Sequence, residues 1–486
     1  MDLISTYATL TLVVGVVAWL LAVRFRRGPM IAPFSIFVII LLSIYGVRPL
    51  LMGEASEPTR FYGYVITEDG YELATLLGLI GTVAFVGGYG ITRLSTQKKR
   101  REELLNPPEF VHPGEGAPRR SFIAAGILLA VWPAAMTAVG GVGFVAQVFQ
   151  GRSVETSAAL ANVPALVFAI PVVACVTIAA TRFHYERFTR YTRAQSLPYW
   201  IIAALAVIPP SALGTRRFLI PSVVIVFAGA LTKTWFKRMR PVWIIAAAVA
   251  FIVLAVFPFV RSSGSRIGGS TDLIGAMSYY FQNEGLRGAL DGFFLSYDTE
   301  MLNWVAFFGP AMGREIQFGT GRGTIAEIIA LPIPDAISPF PTWNNYLLHE
   351  AFGAGCAGQA CPVPSIVGVL YTDLAIPGLV IGMFILGLLA ARFDLSFVNA
   401  KSIRYTALLL IVVGFAVVFV RGNSSSQLWY GFQCFIVWFL ADLYVTRRNS
   451  VREKRSARLA RLRRASSERA NHDGPDDPST SMVPST

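Results

Sequence analysis

His349 and Glu350 close the run Trp343-Asn344-Asn345-Tyr346-Leu347-Leu348-His349-Glu350, inside the longest polar stretch of the chain, residues 261–365. A neutral imidazole near a carboxylate is a usual general base. Consecutive residues do not face each other on a helix, so Asp298, Glu300, Asp335 and Asp373 compete with Glu350 for the carboxylate role. A surface histidine in a structured loop would look the same in sequence. Arginines supply a second chemistry. Arg216 and Arg217 stand in the turn Gly214-Thr215-Arg216-Arg217-Phe218, Arg261 and Arg266 open the polar stretch, and Arg421 follows an apolar run. A planar guanidinium binds phosphate or carboxylate through two parallel hydrogen bonds. Arginines at helix ends also cap carbonyls and anchor phospholipid, and both readings stand. Gly319-Thr320-Gly321-Arg322-Gly323 could cradle phosphate on its amides, or serve as a flexible turn. It lacks the lysine and serine of a nucleotide-binding P-loop.

The elements that must position these residues are membrane helices. The chain has 486 residues, 54% of them hydrophobic and 15% charged, with a mean hydropathy of +0.55. That composition excludes an ordinary soluble domain. Apolar runs recur at about 20 residues, the length a helix needs to cross the hydrocarbon. The fold expected is all-α, a polytopic transmembrane bundle of about eleven spans. Eight spans fall in residues 1–260, an extracytoplasmic loop of short helices in 261–365, three further spans in 366–446, and a basic, then disordered, cytoplasmic tail in 447–486. The piece 140–162, which carries Arg152, reads as interfacial or re-entrant. Residues 366–390 read as one descending span.

Charge sets the expected orientation. The net charge of +13 concentrates in alternate loops, and all six lysines, at 98, 99, 233, 237, 401 and 454, fall on the side expected to face the cytoplasm. The N-terminus is then outside and the C-terminus inside. The basic excess is explained by topology, so no nucleic-acid partner is implied. Cys175 and Cys434 fall within spans. Cys356 and Cys361 lie in the loop, either bridged, if that loop faces an oxidising compartment, or as free thiols. No zinc-like Cys/His spacing occurs, and no metal is expected.

The many spans, the large loop before the last three, the arginine turn at 214–217 and the run Pro364-Ser365-Ile366-Val367-Gly368-Val369-Leu370-Tyr371-Thr372-Asp373-Leu374-Ala375-Ile376-Pro377-Gly378 together resemble the O-antigen polymerase and oligosaccharide repeat-unit polymerase group. The resemblance covers architecture over most of the chain and residues over short patches. It implies a metal-independent glycosyltransferase in the bacterial inner membrane that joins polyprenyl-pyrophosphate-linked oligosaccharides at the outer face. No cofactor is implied. Its partners would be membrane lipids, a flippase and a chain-length regulator. Arg216, Arg217, Arg261, Arg266 and Arg421 would hold pyrophosphate, and His349, Glu350 or Asp298 would take the acceptor proton. Trp343 and Tyr346 would stack on sugar rings, as would Tyr279, Tyr280 and Trp304. Residues 344–353 also look like the pattern of O-antigen ligases, which keeps a ligase-like transferase as an alternative. A transporter or flippase for the lipid-linked glycan is the alternative of another class.

Overall fold

The computed structural model of the chain describes residues 2–25, 31–52, 60–61, 64–96, 116–141, 143–145, 163–186, 188–189, 191–212, 216–230, 282, 301–330, 342–353, 363–398, 400–422 and 428–442. Met1–Trp438 forms one compact unit. Of the second, Phe439–Thr486, only residues 439–442 are described. The described chain is almost wholly helical. Its helices are α1 (Leu3–Phe25), α2 (Pro33–Met52), α3 (Glu68–Ser95), α4 (Ala117–Gly140), α5 (Ala165–Tyr185), α6 (Arg193–Ala212), α7 (Arg216–Ala230), α8 (Met301–Ala311), α9 (Glu327–Ala330), α10 (Trp343–Phe352), α11 (Ile366–Val398), α12 (Ile403–Arg421) and α13 (Leu428–Asp442). A two-residue antiparallel pair, β1 (Arg60–Phe61) with β2 (Tyr64–Val65), precedes α3.

Seven of these helices are long and apolar enough to cross a membrane: α1 to α5, α11 and α12. The chain is a helical membrane protein. The other expected spans fare differently. α6, α7 and α13 are helical but do not meet that length and apolarity, and residues 241–260 lie outside the described set. Of the expected interfacial piece 140–162, Phe144 is described, packed with Trp132, Met136 and Val163.

Local chemistry fixes the helix ends. Thr67 caps α3 by accepting from the Gly70 amide at 3.2 Å, with Glu68 and Asp69 in the first turn and Arg93 in the last, each matched to the helix dipole. At the Arg93 end, Tyr89 donates to the buried Asp394 carboxylate at 2.9 Å, and Arg93 approaches the same oxygen at 3.6 Å. Arg182, near the end of α5, pairs with Glu186 at 2.9 Å and lies over the rings of Tyr191, Tyr199 and Trp200. Burial raises the Tyr191 phenol above its ordinary value, against the opposing pull of Arg182.

Backbone contact joins α3 to α11. A Cβ on Gly88 would stand 2.1 Å from the Phe384 carbonyl oxygen, and one on Gly387 would stand 2.1 Å from that of Phe85. Small residues that admit such an approach are how membrane helices gain packing where lipid offers no hydrophobic drive. α5 has the most buried span, packed by α4, α6, α7 and α12.

α11 departs from expectation. Ala375 has φ 57° and ψ −163°. A Cβ on Gly382 would lie 2.7 Å from Leu370, and one on Gly81 would meet both Val367 and Leu379. Residues twelve apart on a straight helix are separated by about 18 Å. The chain therefore reverses at Ala375, giving a short arm, 366–374, folded back against a long arm, 376–398. Residues 364–373 are buried without exception, whereas the long arm exposes Ile376, Val380, Ile381, Ile385 and Leu389. The expected single span over 366–390 is corrected: only the long arm, about 34 Å at helical rise, can cross.

Two stability predictions follow from this packing. Gly387→Leu drives a side chain into the α3 backbone and is expected to cost about 3 kcal/mol, read as a lower Tm in detergent. Ala375→Gly removes a positive-φ strain of about 1 kcal/mol and is expected to raise Tm. A Tm unchanged by Gly387→Leu would show that the helices do not cross there.

Candidate functional site

The short arm has two ends, and each gathers polar groups. At its base, Ser365 accepts from the Gly368 amide at 3.0 Å with its hydroxyl and from the Val369 amide at 2.9 Å with its carbonyl. The Tyr45 and Ser365 hydroxyls are hydrogen-bonded. Tyr45 sits in the π turn Ser43–Val47 of α2, a distortion that re-aims side chains within a helix. Arg48 follows three residues later and is 2% exposed. Pro364 abuts Gly422, and its backbone leaves no room there for a side chain, which the φ of 107° would disfavour as well. The residue before that glycine is Arg421, half-buried at the end of α12.

The base is deep. Tyr45 packs on Gly78 and Val367 on Gly81, both near the middle of the 28-residue α3. The helix N-terminus there carries a partial positive charge. With Arg421 and Arg48 on the flanking helices, the base can attract an anion into an apolar bundle.

The other end is closed by the loop. Where the short arm stops, the Thr372 and Asp373 carbonyls accept from the Gly319 amide at 3.2 Å and the Thr320 amide at 2.7 Å. The buried Asp373 carboxylate accepts from the Gly321 amide at 2.9 Å and the Thr324 hydroxyl at 2.6 Å. The amides that could have cradled a phosphate are thus occupied by the protein's own carbonyls and carboxylate. Arg322–Ala326 continues as a π turn into α9.

α10 is tied to the same end. The Trp343 indole donates to the Thr372 hydroxyl at 3.0 Å, and the Trp343 amide donates to Glu327. On α8, the Trp304 indole donates to Asn344 at 2.9 Å, and Asn303 accepts from Tyr71 of α3 at 3.0 Å. These bonds fix α8 and α10 over the start of α3.

The sequence candidates now have places. His349 and Glu350 are exposed near the end of α10. Trp343, expected to stack on a sugar, is 2% exposed, with Gly319 and Gly323 against its indole and Tyr346 stacked on it at 5.3 Å. Its role in this structure is packing, which corrects that expectation. Tyr346 in turn carries the Arg322 guanidinium over its ring at 4.2 Å. Trp304 is buried as well. Arg216 and Arg217 begin α7, but their side chains lie outside the described residues, as do Arg261, Arg266, Tyr279, Tyr280, Asp298, Cys356 and Cys361. Among the described residues, no three His, Cys, Asp or Glu side chains converge as a metal site would need.

An aromatic cluster was not singled out from the sequence. Phe352, one turn beyond His349, stacks on Phe307 at 5.2 Å and meets Tyr64 at 5.5 Å. Tyr64 is 57% exposed. The sequence signal was the pair of short apolar pieces around 60–65, too brief to distinguish from linker. Comparison of the chain with protein-family models, curated proteins and solved structures finds no match.

Asp373 links the arm to the loop, and its removal has a defined expectation. Asp373→Ala leaves the Gly321 amide and the Thr324 hydroxyl without their acceptor and is expected to cost about 3 kcal/mol. Asp373→Asn keeps an acceptor for Gly321 and should restore part of that. Limited proteolysis of the 319–330 segment in detergent reads the difference. Equal resistance in both variants and wild type would rule out the latch.

Proposed function

We propose that this chain is an integral membrane polysaccharide polymerase that transfers a polyprenyl-pyrophosphate-linked glycan chain to a lipid-linked repeat unit at the outer face of the inner membrane. The observation that carries the reading is the base of the short arm. There the N-terminus of the short arm, Arg421 at the end of α12 and the buried Arg48, three residues after Tyr45, supply positive charge that a lipid-borne pyrophosphate would match. The expected orientation supports it: Arg93 and Arg182 lie at ends read as cytoplasmic, which puts the Asp373 end, α8 and α10 outside. About eleven spans, with residues 261–365 as the outer loop, remain part of this proposal.

In this mechanism the acceptor hydroxyl attacks the anomeric carbon of the donor sugar. A carbon–oxygen bond to the acceptor forms, the bond to the pyrophosphate breaks, and the electron pair leaves on the pyrophosphate. Arg421, with Arg216, Arg217, Arg261 and Arg266, stabilises that developing charge. His349 takes the acceptor proton, with Glu350 and Asp298 as the rival bases. In-line attack holds the reacting atoms about 3 Å apart, so an anion drawn to the base must travel up the short arm, about 13 Å long, until the acceptor hydroxyl lies within hydrogen-bond reach of His349. Tyr64, exposed beside Phe352, replaces Trp343 as the sugar platform. The reaction calls on no nucleotide, metal or redox group. A ligase-like transferase would use the same groups with a different acceptor.

One observation favours a second reading. Transporters hold anions at the ends of broken helices near the midplane, and the reversal at Ala375 has that form. A flippase for the lipid-linked glycan is therefore the competing function. Glycan length decides between them, measured in cells lacking the native protein and complemented with wild type, Arg421→Ala or His349→Ala at matched membrane levels. The polymerase reading expects long polymer with wild type and about 100-fold less with either variant, single lipid-linked units collecting outside. Units collecting inside would establish the flippase reading instead.

A further inference from the structure

The segment pinned by Asp373 presents an apolar face that the packing of the bundle does not use. Ile325, Ile328 and Ile329 are 62%, 49% and 69% exposed, spaced as one stripe of a helical turn. The rest of this segment faces inward: Gly323 is against the Trp343 indole, Thr324 bonds Asp373, and Glu327 accepts from the Trp343 amide. The isoleucines are thus held outward by fixed neighbours on the opposite side. The face also continues an existing surface. Thr324, next to Ile325, is bonded to Asp373, three residues before Ile376, where the long arm begins its own exposed row of Ile376, Val380 and Ile381. That row belongs to a helix long and apolar enough to cross a membrane, where it would face hydrocarbon.

We propose that Ile325, Ile328 and Ile329 insert into the same leaflet, so that the π turn and α9 form an interfacial membrane anchor of the loop. The occupant is lipid acyl chain. The charge pattern agrees, because Arg322 on the preceding turn is half-buried over Tyr346 at the edge of this face, where a guanidinium and a phenol ring suit the headgroup layer. The anchor would hold the tip of the short arm at fixed depth, since the same segment caps that tip through Gly319, Thr320 and Gly321. The inference rests on the membrane reading and not on the polymerase reading, and its test involves no glycan.

Nitroxide labels at Ile329→Cys, Ile381→Cys and Glu350→Cys, each on a full-length cysteine-free background in phosphatidylglycerol–phosphatidylethanolamine vesicles, report contact with oxygen and with a water-soluble nickel chelate. Ile381 is the lipid reference and Glu350 the exposed loop reference. The anchor is supported if the oxygen-to-nickel ratio at 329 lies within about twofold of that at 381. A ratio like that at 350 would place the stripe in water and overturn it. Low accessibility to both reagents would mean that protein covers the face, from this chain or a second copy, and would overturn it equally. Ile328→Cys provides a second reading should the 329 variant fail to fold.

Discussion

A chain that reverses inside a membrane bundle frees backbone carbonyls that lipid cannot satisfy. Each would cost several kcal/mol in hydrocarbon, so irregular backbone survives there only where protein supplies the missing donors. The reversal at Ala375 meets this constraint through residues some 50 positions upstream. Gly319 and Thr320 give their amides to Thr372 and Asp373, and Gly321 and Thr324 hold the Asp373 carboxylate. Much else depends on these bonds. They order the glycine turn, the turn seats the Trp343 indole, and Trp343 sets the start of α10 and with it the position of His349. A strained residue persists only where its surroundings over-determine it, and Ala375 is fixed from both arms and from the loop.

The same constraint gives the short arm its value. A helix that begins within the bundle brings the positive end of its dipole below the headgroup layer, and here Ser365 caps it through the Gly368 and Val369 amides. The base therefore differs electrostatically from a span end at the headgroup layer, where water and counterions weaken every charge. Arg48 is buried three residues after Tyr45, and Arg421 ends α12 just before Gly422, on which Pro364 packs.

The spans α1 to α5 and α12 were legible because their signal is additive: length and mean apolarity survive any detail of packing. The broken helix was not, since two antiparallel arms of apolar sequence read as one long apolar run. A signal was present in Pro377-Gly378, a pair that marks turns, and in a 33-residue helix longer than a bilayer needs. The glycine turn shows a related limit. Gly319-Thr320-Gly321-Arg322-Gly323 was open to a phosphate-binding reading because glycine reveals close approach but not what approaches. Here the neighbours are the Asp373 carboxylate and the Trp343 ring. Trp343 itself illustrates why aromatic residues in a polar loop are ambiguous. An indole with a satisfied N–H is as well suited to a core as to a sugar, and only the partner decides. His349 is exposed near the end of α10, and adjacency to Glu350 in sequence does not pair the two on the helix.

Accessibility separates the two ends of the arm in a way that bears on mechanism. Among the described residues, the tip is held by hydrogen bonds from Gly319, Thr320, Gly321, Thr324 and Trp343, whereas the base is held by a hydroxyl pair and by the packing of Pro364 on Gly422 and Val367 on Gly81. A transporter built on this arm would need both ends to exchange partners, and the buried carbonyls and carboxylate at the tip would then require substitute donors. A transferase needs only the base to admit an anion and the tip to stay still. The distribution of bonds along the arm, fixed above and sparse below, therefore suits chemistry at a stationary site better than alternating access, even though the broken helix itself is common to both.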